Sequence, residues 1–153
     1  MIQKALFGAG CFWGVEEHFR TINGVTKTEV GYSGGNTKNP NYESVCYENT
    51  DHAEVLLLEF DDDLISYESL VEEFWKCHDP TTLDRQGPDV GRQYRSVIYY
   101  YNDMQKNIAN KSKDKHQESF QNNIVTEISH ADIFYKAEEY HQKYILKGNS
   151  CAI

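Results

Sequence analysis

The chain has 153 residues, 39% hydrophobic and 13% aromatic, enough for one real core and too few for two domains of ordinary size. Fifteen Lys and Arg against 24 Asp and Glu leave a formal charge of -9, a surface that repels nucleic-acid phosphates and anionic lipid. No apolar run approaches the roughly 20 residues a membrane-crossing helix needs, and residues 1–7 lack the apolar stretch of a secretion signal, so a single soluble, cytoplasmic domain over 1–153 is expected.

Residues 2–8 carry Leu6 and Phe7 and predict a strand running into Gly8-Ala9-Gly10. From Cys11 the period changes: Cys11, Val15, Phe19 and Ile22 form one helical stripe, which Gly24 ends. Residues 25–32 predict a second strand, stopped by Ser33-Gly34-Gly35. The nearly unbroken apolar run 55–60 predicts a central strand buried on both faces. A helix follows over 67–78, with Tyr67, Leu70, Val71, Phe74 and Trp75 on one side. Then come a strand at 96–101, a polar helix over 104–120 and a further strand at 124–129. This order matches an α/β two-layer sandwich with a ferredoxin-like split β-α-β core and a C-terminal extension. Residues 33–54 and 79–94 are long connections without periodicity, and the stretch from about 131 to 153 predicts an irregular, mobile tail.

Four cysteines (Cys11, Cys46, Cys77 and Cys151) form no C-x-x-C pair, and the six histidines form no ligand motif, so neither a metal nor a cofactor is expected. Any cysteine chemistry must use residues that the fold brings together. Gly10-Cys11-Phe12-Trp13-Gly14 delivers Cys11 to the first turn of a helix, where unpaired N–H groups and the helix dipole favour a thiolate. Cys11 is either that nucleophile or a buried member of the Val15/Phe19 stripe. Glu54 opens the most apolar strand of the chain, either exposed at the sheet end or buried; a buried carboxyl stays protonated and can donate a proton.

Several motifs together resemble the peptide methionine sulfoxide reductase A family, over roughly residues 5–151. They are GCFWG at 10–14, GYSGG at 31–35, Tyr42 to Cys46 with HAEV at 52–55, HDPTTLDRQGPDVGRQYRS at 78–96, and the tail from HQKY to Cys151. The resemblance implies reduction of the S epimer of methionine sulfoxide, free or in proteins, with thioredoxin or another dithiol as reductant. It makes Cys11 the nucleophile, Phe12 and Trp13 walls of the methyl pocket, and Glu54, Tyr42 and Tyr94 donors around the sulfoxide oxygen. Asp89 would hold the substrate backbone, and Cys151 would be the resolving thiol; Cys46 and Cys77 read as structural. The chain departs from the family pattern at Tyr47-Glu48-Asn49, at Pro88 and Arg92, and in a short tail without Gly-Tyr before its cysteine.

The chemistry suits those residue types. A sulfoxide sulfur accepts a nucleophile only once its oxygen is protonated or strongly hydrogen-bonded, which calls for an acid and neutral donors. The Cys11 sulfenic acid then condenses with a second thiol to a disulfide. Two other classes use some of the same features. A thiol peroxidase needs the helix-start thiolate but no methyl pocket, and an acidic module could grip peptides with Trp13 and the loop tyrosines without turnover.

Overall fold

A computed structural model describes residues 1–150. Five strands and three helices lie where hydrophobic period places them. They are β1 (Ile2–Ala9), α1 (Phe12–Arg20) and β2 (Val25–Ser33), then, past a short helix α2 (Tyr42–Tyr47), β3 (Ala53–Asp61) and α3 (Tyr67–Lys76). A small hairpin of β4 (Arg85–Gln86) and β5 (Asp89–Val90) follows, with a 3-10 turn at Arg92–Tyr94. The chain continues through β6 (Ser96–Tyr100), α4 (Asp103–Gln117), β7 (Glu127–His130), β8 (Tyr135–Lys136) and a second 3-10 turn at Glu139–His141. Among these, α2, the hairpin and β8 stand in stretches the sequence presents as connections.

The sheet order is β7-β6-β1-β3-β2-β8; all neighbours are antiparallel except β6 and β7, which run parallel. This is a mixed α/β fold built on a sheet core. The run expected to be central is central: β3 lies between β1 and β2, pairing Leu56 with both Phe7 and Val30. Alternation sends Phe7, Leu56, Leu58 and Ile98 to one face, where Phe12, Val15 and Phe19 of α1 and Leu70, Val71 and Phe74 of α3 cover them. Leu6, Val55, Val97 and Tyr99 take the other face, under Ala131 and Phe134. Full burial of such a Phe or Leu is worth about 1.5–3 kcal/mol. The buried stripe of α1 begins at Phe12 instead of Cys11, because Cys11 is the N-cap and stands outside the helical turn.

The C-terminal stretch is a correction to the expected loose tail from about 131. It passes from the Phe134 side of the sheet, around the outer edge of β2, to the α1 side, and polar contacts tie it down. β8 pairs with β2, and Gly31 allows the approach, since a Cβ there would stand 2.4 Å from the Tyr135 carbonyl oxygen. The Gln142 amide accepts from Val30 N–H and donates to Val30 O, both at 2.9 Å. The buried Glu16 carboxylate of α1 accepts from Lys143 N–H at 2.6 Å and from the Thr28 hydroxyl at 2.7 Å. Glu138 accepts from Tyr42 N–H and the Tyr32 hydroxyl, both at 3.0 Å, which joins this stretch to α2. The Gln142 side chain supplies the acceptor for the buried Val30 N–H, a group that would otherwise be unpaired.

Candidate active site

β1 is followed by Gly10, whose φ of +94° suits glycine, and the turn leaves Cys11 at the N-terminal end of α1. A Cβ on Gly10 would stand 2.8 Å from the Gln86 side chain, so the glycine also lets the β4–β5 hairpin close in. Gln86 fixes that hairpin through Asp79, accepting from its N–H at 2.9 Å and donating to its carbonyl at 2.8 Å. The hairpin turns at Gly87-Pro88 and carries Asp89 opposite Gln86. Arg92 ties the following turn to Asp51 and, at 3.2 Å, to Asp84. A loop with little apolar content is thus held in place by polar staples.

Between these parts opens a cleft of about 750 Å³, lined by Cys11, Trp13, Tyr42, Gln86, Asp89 and Tyr94 among others. The structure brings together Cys11, Trp13, Tyr42, Asp89 and Tyr94, drawn from four separate segments. Phe12 is placed differently from the expected wall. It is fully buried, packed on Tyr32 and His141 at ring distances of 5.7 and 5.2 Å, because the helical turn that points Trp13 outward points Phe12 into the core. Gly14 faces the cleft, and a Cβ there would meet nothing within 4 Å.

Glu54 is buried at 1% exposure on the α1 face of β3. Its Oε1 accepts from Phe12 N–H at 3.1 Å, which seats the carboxyl beside Cys11 at the start of α1. Its Oε2 is buried with no hydrogen-bond partner among the described residues. Burial lifts the carboxyl from 4.5 to about 8, Phe12 N–H pulls the other way, and the Asp89 charge adds to the rise. Glu54 is therefore a neutral acid at pH 7, with one oxygen uncommitted.

Tyr42 and Tyr94 are also held in their neutral, donating forms. Burial raises both hydroxyls above the ordinary tyrosine range, with Glu54 and Cys46 contributing to each. Cys46, read from the sequence as a structural thiol, stands four positions after Tyr42 on α2, and Tyr42, Tyr94 and Gln93 favour its charged form against its burial. Burial raises the thiol of Cys46 and pushes that of Cys77, on the cleft's far side, up to about 12. Cys77 donates to Phe74 O at 3.3 Å. Both are thereby kept as thiols, and among the described cysteines the helix start belongs to Cys11. Cys151 lies outside the described residues.

His141 was not singled out by sequence reasoning, yet it underlies the site: the Trp13 indole N–H donates to its Nδ1 at 2.9 Å. Three residues on, Tyr144 stacks on Trp13 with ring centroids 3.9 Å apart and an interplanar angle of 11°. The HQKY motif at 141–144 carries both residues, and resemblance was its only signal.

A thiol at a helix start, a buried carboxyl beside it, two tyrosine hydroxyls and an aromatic cleft are the equipment of a cysteine-dependent enzyme. Comparison with known proteins agrees. The sequence model for peptide methionine sulfoxide reductase matches residues 3–152. The peptide methionine sulfoxide reductase MsrA of Methanothermobacter thermautotrophicus is 56% identical over 148 residues, covering 95% of this chain and 88% of the relative. Mxr1 from Saccharomyces cerevisiae in reduced form is similar in structure with a TM-score of 0.92 at 35% identity, covering 96% of this chain and 86% of that one. Mxr1 in complex with Trx2 is similar at a TM-score of 0.67 and 26% identity, covering 94% and 84%. The chain belongs to the peptide methionine sulfoxide reductase family.

Proposed function

We propose that the chain is a single catalytic domain that reduces the S epimer of methionine sulfoxide, in proteins or free, in the cytoplasm. One observation carries the mechanism: Glu54 is buried on the amide next to Cys11 with an oxygen uncommitted, a setting that favours its protonated form. Glu54 delivers its proton to the sulfoxide oxygen, and the Tyr42 and Tyr94 hydroxyls donate to the same atom. The Cys11 thiolate attacks sulfur, the S–O bond breaks, and the oxygen passes to Cys11 as a sulfenic acid while methionine leaves. The face of Trp13 left open by Tyr144 stabilises the sulfonium character that develops on sulfur. Phe12 supports the pocket from below, and Asp89 on the rim holds the substrate backbone. Fixing oxygen, alkyl group and thiolate at three corners selects one epimer.

Cys151 then attacks the sulfenic acid, water leaves, and thioredoxin or another dithiol reduces the disulfide. That assignment rests on the family pattern, and the yeast relative's complex with Trx2 supports the choice of reductant. The strand order β6-β1-β3-β2, antiparallel throughout with α1 and α3 on one face, supports reading the core as a ferredoxin-like split β-α-β in a two-layer sandwich. The test is turnover of resolved S and R sulfoxide substrates, with dithiothreitol or thioredoxin as reductant and hydrogen peroxide as competing substrate. S-specific turnover is expected; a preference for peroxide would replace this reading with a thiol peroxidase.

A further inference from the structure

The polar contact that fixes the Trp13 indole is the 2.9 Å hydrogen bond to Nδ1 of His141. An indole N–H can only donate, so Nδ1 is the unprotonated nitrogen and the ring is neutral, with its proton on Nε2. Burial holds the ring below the ordinary histidine range, against the neighbouring Glu138 carboxylate, and so keeps Nδ1 an acceptor. The ring is 1% exposed, and its Nε2 has no hydrogen-bond partner among the described residues. A phenylalanine or leucine would fill this space and spare the unpaired Nε2, but would leave the Trp13 indole N–H without its acceptor, so filling space alone does not account for a histidine.

The same ring touches other parts of the site. Its centroid lies 5.2 Å from that of Phe12 and 4.7 Å from that of Tyr42. Other groups hold the backbone on either side: Gln142 on Val30, Lys143 N–H on Glu16, and Glu138 on Tyr42 N–H. The imidazole can therefore be exchanged while the segment stays in place.

We propose that His141 is a positioning residue that sets substrate specificity: by holding the indole of Trp13 it fixes the width of the pocket for the alkyl group on the sulfoxide sulfur. It thereby confines the enzyme to S-methyl substrates. The proposal rests on the reductase reading and adds a determinant to it.

The test compares wild type, His141→Phe and His141→Asn on the S epimers of methionine sulfoxide and its S-ethyl analogue, ethionine sulfoxide. One methylene in an apolar pocket is worth about 10–200-fold in kcat/KM. His141→Phe removes the acceptor but keeps an aromatic ring, and the methyl-over-ethyl ratio is expected to fall by about tenfold, mostly through KM. The rate of Cys11 alkylation is expected to stay unchanged. His141→Asn places an amide oxygen where Nδ1 stood and is expected to restore the ratio. His141→Leu, smaller and equally without an acceptor, gives the same reading if the Phe variant fails to fold. A ratio unchanged in the Phe or Leu variants, or both substrates slowed equally, would show that His141 only fills space. A wild type inactive on both sulfoxides would overturn the reductase reading, and this proposal with it.

Discussion

Glu54→Gln keeps the shape of the side chain and an oxygen for Phe12 N–H, and removes the titrating proton. In the folded chain burial holds that proton up to about 8, against 4.5 for an ordinary glutamate. Between those values the folded state keeps a proton that the unfolded state releases. The stability this group contributes is therefore complete below about 4.5 and is lost as pH rises through about 8. At about 1.4 kcal/mol per pH unit, the whole window amounts to on the order of 5 kcal/mol. His78 acts in the opposite direction. Burial lowers it from 6.5 to about 4, and its contribution is lost as pH falls through that range. That effect is common to both proteins and cancels in their difference. Urea unfolding of wild type and Glu54→Gln at a series of pH values from 5 to 8 measures the remainder. The wild type is expected to lose several kcal/mol relative to the variant over that span. In parallel, sulfoxide reduction by the variant at pH 7 should be slower by about 10²–10³, and only the wild-type rate should decline above about pH 8. Parallel stability profiles, or equal rates at pH 7, would refute the assignment of Glu54 as a buried neutral acid.

Tyr42→Phe and Tyr94→Phe should each lower kcat by roughly tenfold, less than loss of Glu54, and the double variant should lose more than the product, because each hydroxyl covers for the other on the same oxygen; steady-state kinetics on the S substrate decide this. Cys151→Ser should reduce about one sulfoxide per enzyme and then stall with thioredoxin, while dithiothreitol, small enough to reach the sulfenic acid, restores turnover. Thioredoxin driving that variant at the wild-type rate would remove Cys151 from the cycle. Gln142→Ala breaks hydrogen bonds to Val30 and Ala137 and should cost about 1–3 kcal/mol in urea unfolding, because it leaves the buried Val30 N–H unpaired, while the Val30 carbonyl keeps the Ala137 N–H.

The parts of the fold readable in the sequence are those made by hydrophobic period. The stripe of α1, the unbroken run of β3 and the Tyr67-to-Trp75 face of α3 each bury what their pattern exposes to reading. The site was legible where an unusual residue breaks such a pattern: Cys11 between glycines, and Glu54 at the head of an apolar strand. Elements too short for a period escaped. α2 has six residues, although Asn41 and Ser44 form a capping box that marks its start. β8 has two residues, and its docking depends on the missing Cβ of Gly31. The C-terminal stretch escaped for another reason: Glu16, Glu138, Gln142 and His141 are residue types that pattern assigns to solvent. Their partners lie far off in sequence, 127 residues for Glu16 with Lys143 and 128 for His141 with Trp13. Local pattern contains no sign of such pairs.

The most direct measurement follows the oxygen atom. Reduced Cys151→Ser protein is mixed with one equivalent of a resolved (S)-methionine sulfoxide peptide and then with dimedone, and the adduct and product are quantified by mass spectrometry. The account predicts that dimedone labels Cys11 in proportion to the methionine formed, about one per chain, and that the R epimer produces neither. Methionine formed without an adduct at Cys11, or an adduct at Cys46 or Cys77 instead, would contradict it.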